Sequence, residues 1–197
     1  AGALASRRRV RNHIARLARE GFAQVGDGGD RRTRPITATP KLENLLNQWV
    51  RALAGAAADL CSVDRATLSR PDLARLYLRQ VMASHQRGFS AFAATPSVAR
   101  LVNLSRGHAL VLELLAASLR TGSTDVAFSR RAFASAYGVS RTHVIDLLSE
   151  CEATGIITPS PQTLALSATF LAEARQWAAV NFVLAAATLE GRLLAVL

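Results

Sequence analysis

The sequence predicts a mainly α-helical fold with short two-stranded β hairpins and long connecting helices. Ala and Leu dominate the 197 residues, of which 50% are hydrophobic and 6% aromatic, and this composition favours helix over sheet. A pattern in residues 6–50 recurs in residues 140–178. A helix-turn-helix signature, residues 129–144, leads into the second copy of that pattern.

The repeat consists of two matched blocks. SRRRVRNHIARLAREGF (6–22) aligns without a gap on SRTHVIDLLSECEATGI (140–156), and ITATPKLENLLNQWV (36–50) aligns on LALSATFLAEARQWA (164–178). The spacing between the blocks differs by six residues, and all six fall where the first copy carries the arginine-rich stretch GDGGDRRTRPITATP. An internal repeat with a variable loop indicates two copies of one structural element.

Each copy predicts the same order of elements. A Ser at the N-cap position begins a helix of about 15 residues, and a Gly ends it. Two strands joined by a turn follow, at about 22–37 in the first copy and 156–167 in the second. A long helix comes next. In the first copy its apolar residues recur at helical spacing from Leu42 to Leu60, and in the second copy it runs from about Ala168 to Leu189 and is more uniformly apolar.

The helix-turn-helix signature is SRRAFASAYGVSRTHV (129–144). Ala134 lies four residues before Gly138, and Val144 lies six residues after it. In this motif the small Ala lets two helices approach, the Gly takes the left-handed turn position, and the Val locks the second helix onto the first. Because a helix, a Gly and a hairpin follow, the segment predicts a winged helix-turn-helix. The first copy lacks this front half, and we expect residues upstream of Ala1 to complete it.

Three segments are predicted along the chain. A first winged-helix unit, without its N-terminal part, covers residues 1–60, and a helical linker covers 61–96 with one helix over 70–92. A second winged-helix unit covers 97–197, and its leading helix is expected over roughly 97–119. The predicted fold is therefore a tandem of winged helix-turn-helix units.

A helical wheel of the first recognition helix, residues 6–20, separates two faces. Val10, Ile14 and Leu17 form a stripe that we expect to be buried, and basic residues occupy the opposite face. Arg can pair bidentately with guanine and Asn with adenine, while further arginines suit phosphates. The predicted DNA contacts of this helix are Ser6, Arg7, Arg8, Arg9, Arg11, Asn12 and Arg16.

The second recognition helix has a different character. Val144, Leu148 and Cys151 are predicted to be buried, whereas Asp146 lies on the outer face and would repel phosphates. The candidate DNA contacts here are Arg141, Thr142 and His143. Two interpretations remain open for this unit, a second DNA contact or a unit retained for packing or dimerisation.

The first copy resembles the MarR-type winged-helix transcription regulators over roughly residues 1–58. The resemblance rests on the basic helix, the glycine-rich tip and DRRTRPITATPKLENLL (30–46), since an Asp-Arg-Arg followed by a hydrophobic-Thr strand end is distinctive of that family's wing. It implies that Asp30 braces the wing, that Arg32 reaches the minor groove, and that Arg31 and Arg34 lie near phosphates. The second wing, TPSPQTLAL, lacks this motif and resembles winged helices only in general.

The distribution of charge along the chain also favours a nucleic-acid partner. The net charge is +10, and residues 1–55 hold 11 basic against 4 acidic residues, while residues 123–197 hold 5 against 6. This asymmetry favours a polyanion bound by the front of the chain. The four His have no metal-ligand spacing, no Ser lies in a nucleophile elbow, and GDGG is followed by no Gly-Lys-Ser/Thr. We therefore expect no enzyme activity, no cofactor and no bound metal.

The cellular location of the protein is inferred from its cysteines, its apolar runs and its N-terminal residues. Cys61 and Cys151 form no disulfide framework, and no apolar run reaches the about 20 residues that span a bilayer. With no signal peptide, the chain is expected to be cytoplasmic, associated with the nucleoid, and without a membrane partner.

These observations predict a bacterial, sequence-specific, double-stranded DNA-binding transcription regulator. It would use the basic recognition helix (6–20) and the Arg-rich wing (26–37). A homodimer through the helices that follow the wings is also expected. Two alternatives remain open, a replication initiator of the plasmid type and a winged-helix protein-interaction adaptor.

Overall fold

Residues 7–26, 34–60, 65–160 and 162–190 are described by the structure, a computed structural model. These residues are mainly helical and contain two small antiparallel sheets. The helices are α1 (Arg7–Arg19), α2 (Pro40–Leu60), α3 (Leu73–Gln86), α4 (Pro96–Val102), α5 (Gly107–Thr121), α6 (Arg130–Tyr137), α7 (Arg141–Ala153) and α8 (Ala168–Leu189). The strands are β1 (Ala23–Val25), β2 (Ile36–Ala38), β3 (Asp125–Ala127), β4 (Ile157–Pro159) and β5 (Thr163–Leu166).

The chain divides into two compact units. The N-terminal unit comprises Ala1–Ala83 and Leu184–Ala195, and the central unit comprises Ser84–Val183 and Val196–Leu197. The helical linker expected over 61–96 is thus divided between the two units at Ala83.

In the N-terminal unit, β1 and β2 form an antiparallel hairpin between α1 and α2. Helix α2 contacts α3 where the rings of Trp49 and Tyr77 meet edge-on at 5.5 Å. The apolar stripe predicted for α2 is only partly buried, since Trp49 is 43% exposed, whereas Val50 of α2 and Leu73 of α3 are fully buried. Asn47 on α2 accepts the backbone N–H of Ala74 through its side-chain oxygen at 3.1 Å, which satisfies one of the free donors at the start of α3.

The central unit surrounds a larger hydrophobic core. Its sheet has the strand order β3-β5-β4, and all its pairings are antiparallel. Helices α5, α6, α7 and α8 cover this sheet, and Phe170 of α8 lies fully buried in the core. Strand β3 was not predicted, so the expected two-stranded wing is a three-stranded sheet. This strand has only three residues, too few for alternation to be read from sequence, and pairing with β5 stabilises it.

The helix-turn-helix signature has the expected local geometry. Gly138 ends α6 in the left-handed conformation with φ 62°, and the carbonyl of Ala134 accepts the N–H of Val139 at 3.0 Å. Ser140 caps α7, because its side-chain oxygen accepts the backbone N–H of His143 at 3.1 Å. Val144 is fully buried, as expected for the residue that locks the two helices together.

The repeat is reproduced at the level of single hydrogen bonds. Phe22 N–H donates to Leu17 C=O at 2.8 Å, and the equivalent Ile156 N–H donates to Cys151 C=O at 2.8 Å. The two hairpins share one register, since Ala23 pairs with Ala38 as Ile157 pairs with Leu166. The pair that closes each loop is also equivalent: Gly26 N–H donates to Pro35 C=O at 2.9 Å, and Ser160 N–H donates to Thr163 C=O at 2.9 Å.

The difference in length lies entirely inside the hairpin loops. Eight residues separate Gly26 from Pro35, whereas two separate Ser160 from Thr163, which accounts for the six extra residues of the first copy.

Two helices differ from their expected lengths. The helix expected over 70–92 is α3 with a separate 3-10 turn at Ala91–Ala93, because Gly88, with φ 87°, intervenes. The leading helix expected over 97–119 is broken into α4 and α5. The two helices approach so closely that a Cβ at Gly107 would lie 1.7 Å from the carbonyl oxygen of Leu101. A glycine is therefore required there, and a continuous helix cannot form this crossing.

The predicted buried stripes were partly wrong. In α7, Leu147 is buried and Leu148 only half-buried. In α1, Val10 is 46% exposed, although its equivalent Val144 is fully buried. The cause is that α6 packs on α7, whereas none of the residues described in the N-terminal unit occupies the corresponding place on α1.

Candidate nucleic-acid interface

Helix α1 presents a basic, solvent-exposed surface. It contains six Arg and no acidic residue, a charge of +6 over 13 residues. Arg8, Arg11 and Asn12 are all exposed in its first two turns. Neither Arg8 nor Arg11 forms an ion pair within the part of the chain that the structure describes. Both side chains lie on the exposed surface of α1.

The last turn of α1 is partly neutralised within the protein. Arg16 Nε donates to Glu20 Oε1 at 2.7 Å, an exposed pair one helical turn apart. The hydrogen bond from Arg16 lowers the pKa of Glu20, and the nearby charges of Arg16, Arg19 and Lys41 act in the same direction. Arg16 is thus a weaker candidate for phosphate contact than Arg8 and Arg11.

The end of α1 is tied to the start of α2 by side chains that sequence reasoning missed. Thr39 Oγ1 donates to the carbonyl of Gly21 at 2.7 Å, and Lys41 Nζ donates to the carbonyl of Glu20 at 2.8 Å. The same ammonium lies 4.4 Å from the ring centroid of Phe22. One signal was available, because Lys41 is the single Lys among 24 basic residues.

The hairpin of the N-terminal unit lies directly beyond α1 in the chain. Arg34 is exposed next to the closing residue Pro35. The other predicted wing residues, Asp30, Arg31 and Arg32, lie outside the described residues, as does Ser6. Arg7 and Arg9 belong to α1, but their side chains are also outside the description. The described candidate contacts are therefore Arg8, Arg11, Asn12 and Arg16 on α1 and Arg34 between β1 and β2.

The corresponding surface of α7 differs in chemistry. Arg141 and Thr142 are exposed, whereas the His143 ring is engaged in the fold, with Nε2 at 2.9 Å from the backbone carbonyl oxygen of Ser105. That contact is made inside the central unit and leaves only the other ring nitrogen for a ligand.

Equivalent positions on α1 and α7 carry side chains of different chemistry. Where α1 has the exposed Arg11, α7 has Ile145, a side chain 44% exposed. Arg16 is replaced by Glu150, which pairs with Arg100 at 3.4 Å between Nη1 and Oε1. The charge of α7 is −2, from one Arg and three acidic residues. Equivalent helices thus present a cationic surface in one copy and an apolar and acidic surface in the other.

A groove of about 500 Å³ lies beside the exposed face of α7, within the central unit. Ile145 and Leu148 of α7 line it together with Leu164 of the sheet. Arg130 and Glu152 provide one charge of each sign. Such a lining suits a mixed apolar and polar ligand better than the uniform negative charge of a phosphate backbone.

Cys151 lies fully buried on the inner face of α7. Burial raises the pKa of its thiol to about 12, and the charge of Glu150 acts in the same direction. A thiol in this state is a core side chain and not a nucleophile.

Within the described ranges, no cluster of three or more His, Cys, Asp or Glu residues could hold a metal ion. None of the helices in that part of the chain has both the length and the apolar character needed to cross a bilayer.

Comparison with known proteins yields no relative: no family model, curated protein or solved structure matches the chain.

Proposed function

We propose that the protein is a double-stranded DNA-binding transcription regulator whose DNA contacts are concentrated in α1 and the adjoining hairpin. The observation that carries the proposal is the exposed basic face of α1, with Arg8, Arg11 and Asn12 in its first two turns. The N-terminal part of a recognition helix is the part that meets base edges in the major groove. A helix without acidic residues also suits the phosphates on either side.

The fold proposed for the two copies is the winged helix-turn-helix. Support comes from the central unit, where the element order is α5, β3, α6, α7, β4 and β5 and the strand order is β3-β5-β4. The N-terminal unit repeats the last part of this order with equivalent hydrogen bonds. Within this fold α1 is the recognition helix and the β1–β2 hairpin is the wing. The MarR-type resemblance, with Asp30 as brace and Arg31 and Arg32 at the DNA, belongs to the same proposal.

We further propose that the two copies have different functions, with DNA bound by the first copy and a protein bound by the second. Of the candidate contacts on α7, Arg141 and Thr142 stay accessible, but three acidic residues on the same helix oppose binding to phosphates. The groove beside Ile145 and the acidic face favour the adaptor hypothesis for this copy alone, since both features suit a protein segment. In this view the cytoplasmic, nucleoid-associated protein binds DNA through one copy and a protein, or a second copy of the chain, through other surfaces.

The proposal is tested by substituting α1 arginines singly. Arg8→Ala and Arg11→Ala are compared with wild type on a random-sequence 30-base-pair duplex and on a duplex enriched from a randomised pool. A base-contacting Arg should cost about 1–3 kcal/mol on the enriched duplex and relax its sequence preference, whereas a phosphate contact should weaken binding to both duplexes alike. Arg120→Ala is the matched control, because Arg120 is an exposed Arg in the central unit.

Two outcomes would count against the proposal. Unchanged affinity of both α1 variants for both duplexes would remove α1 from the DNA interface. A loss for Arg141→Ala as large as that for Arg11→Ala would contradict the proposed division between the copies. Titration at several salt concentrations provides a further check, since each lost phosphate contact lowers the slope of log affinity against log salt by about one.

A further inference from the structure

We propose that Lys41 is a positioning residue that fixes α1 for DNA recognition, and that it acts through the backbone at the end of α1 rather than through a phosphate. The inference rests on the proposed function of α1. Lys41 is not one of the proposed DNA contacts. It concerns a clamp of three side chains, Thr39, Lys41 and Phe22, at the junction between α1, β1 and α2.

The contacts of the clamp are made to the three residues that follow α1, which are Glu20, Gly21 and Phe22. Lys41 Nζ donates to Glu20 C=O at 2.8 Å and lies over the Phe22 ring, while Thr39 Oγ1 donates to Gly21 C=O at 2.7 Å. The backbone N–H of Thr39 also donates to Phe22 C=O at 3.1 Å. These bonds satisfy the carbonyls of the three residues that follow α1 and join the end of α1 to the start of α2.

Lys41 lies at the N-terminal end of α2, where helices usually disfavour a positive charge. Lys41 is in the first turn of α2, where the helix dipole favours anions and disfavours cations. Its ammonium instead reaches the C-terminal end of α1, where the same principle favours a cation. In a chain that otherwise uses only Arg as its strong base, a lysine in this place departs from both composition and helix preference. Such local departures are expected at functional positions.

The second copy lacks the side-chain contacts of the clamp. Ser167, the equivalent of Thr39, donates its backbone N–H to Ile156 C=O at 3.0 Å and caps α8. Thr169, the equivalent of Lys41, is exposed, and its side chain forms no hydrogen bond with the described residues. There α6 packs on α7 and holds it in place. On α1 the clamp restrains the opposite end of the helix, at Glu20 and Gly21.

The experiment compares three variants with a control of equal charge change. Lys41→Met keeps the apolar stem and removes the ammonium, Lys41→Arg keeps a donor and a cation, and Phe22→Leu removes the ring without changing charge. Arg120→Met removes one exposed cation from the central unit. Each variant is measured on the enriched and the random duplex, and the exchange rates of the Gly21 and Phe22 amides are measured by NMR in the free protein.

For a positioning residue, Lys41→Met should weaken binding to the enriched duplex about fivefold and binding to the random duplex less than twofold, with the salt slope unchanged. Lys41→Arg should restore binding to within about twofold of wild type, and Phe22→Leu should reproduce part of the loss. Amide exchange at Gly21 and Phe22 should accelerate at least about threefold in Lys41→Met and remain unchanged in Arg120→Met.

Equal losses on both duplexes with a lower salt slope would identify a phosphate contact and overturn the proposal. Unchanged amide exchange in Lys41→Met would overturn it as well. The exchange measurement requires no DNA. A protein that binds no duplex at all would therefore refute the proposed function, while the amide exchange rates would still decide whether the clamp exists.

Discussion

The two copies of the repeat provide a matched pair of substitutions for measuring how differently α1 and α7 are packed. Val10 and Val144 occupy equivalent positions, but Val144 is fully buried and Val10 is 46% exposed. Replacing either with Ala removes two methyl groups from the same position of the same structural element. The difference between the two losses of stability therefore reports packing and not residue type.

The expected magnitudes follow from burial. At about 0.8 kcal/mol for each buried carbon, Val144→Ala loses about 1.6 kcal/mol of transfer free energy. The cavity left beside α6 adds about 1 kcal/mol and the higher helix propensity of Ala returns about 0.5 kcal/mol, so the net loss should be about 2 kcal/mol. Val10→Ala loses about half of the transfer term and encloses no cavity. Since Ala is a better helix former than Val by about 0.5 kcal/mol, the net loss should be below about 0.5 kcal/mol.

The assay is urea denaturation followed by tryptophan fluorescence. In a Trp49→Phe background, Trp177 in the core of the central unit reports the unfolding of the Val144 variant. In a Trp177→Phe background, Trp49, whose ring lies edge-on to Tyr77 at 5.5 Å, reports the Val10 variant. A loss for Val10→Ala equal to that for Val144→Ala would refute the reasoning, because it would mean that α1 buries this face as completely as α7 does.

Three further outcomes are expected. In a Cys61→Ser background, Cys151 should resist a thiol reagent at pH 8 until the protein is unfolded. Burial raises the pKa of this thiol to about 12, so that only about one thiol in ten thousand is ionised at pH 8. Rapid modification of the native protein would contradict this expectation. Ser140→Ala should destabilise the central unit by about 1 kcal/mol through loss of the N-cap of α7, whereas the control Ser149→Ala, on the exposed face of the same helix, should not; equal effects would exclude the capping role. Arg32→Ala should weaken DNA binding most on sites with A/T flanks, where the minor groove is narrow, and a loss independent of flanking sequence would argue against a minor-groove contact.

Much of the repeat could be predicted from sequence, because capping residues and glycines mark helix ends by local chemistry. Ser140 begins α7, and Gly21 and Gly155, with φ of 74° and 67°, follow the ends of α1 and α7 as expected. Strand β3 could not be predicted, since its stability comes from pairing with β5, a strand about 40 residues away in the chain.

The burial of α1 was misjudged for a related reason. Periodicity identifies a stripe such as Val10, Ile14 and Leu17, but it cannot tell whether another element covers that stripe. One detail of the sequence did carry the information. The first copy has His13 where the second has the buried Leu147, and a polar ring at that position suits an exposed surface.

At the candidate interface, exposure of Arg8 and Arg11 agrees with the helical wheel. The Lys41 clamp could not be found in the same way, because it depends on a contact between residues 21 positions apart. Charge patterns locate a surface, whereas the bonds that orient that surface depend on tertiary structure.

The unequal hairpin loops have a consequence for the order of folding. Closing a loop of eight residues between Gly26 and Pro35 costs more chain entropy than closing one of two residues between Ser160 and Thr163, by about 1 kcal/mol when the cost grows with the logarithm of length. The second hairpin is further held by β3. We therefore expect the central unit to fold early and the hairpin beside α1 to close late, so that the cationic helix acquires its final orientation only near the end of folding.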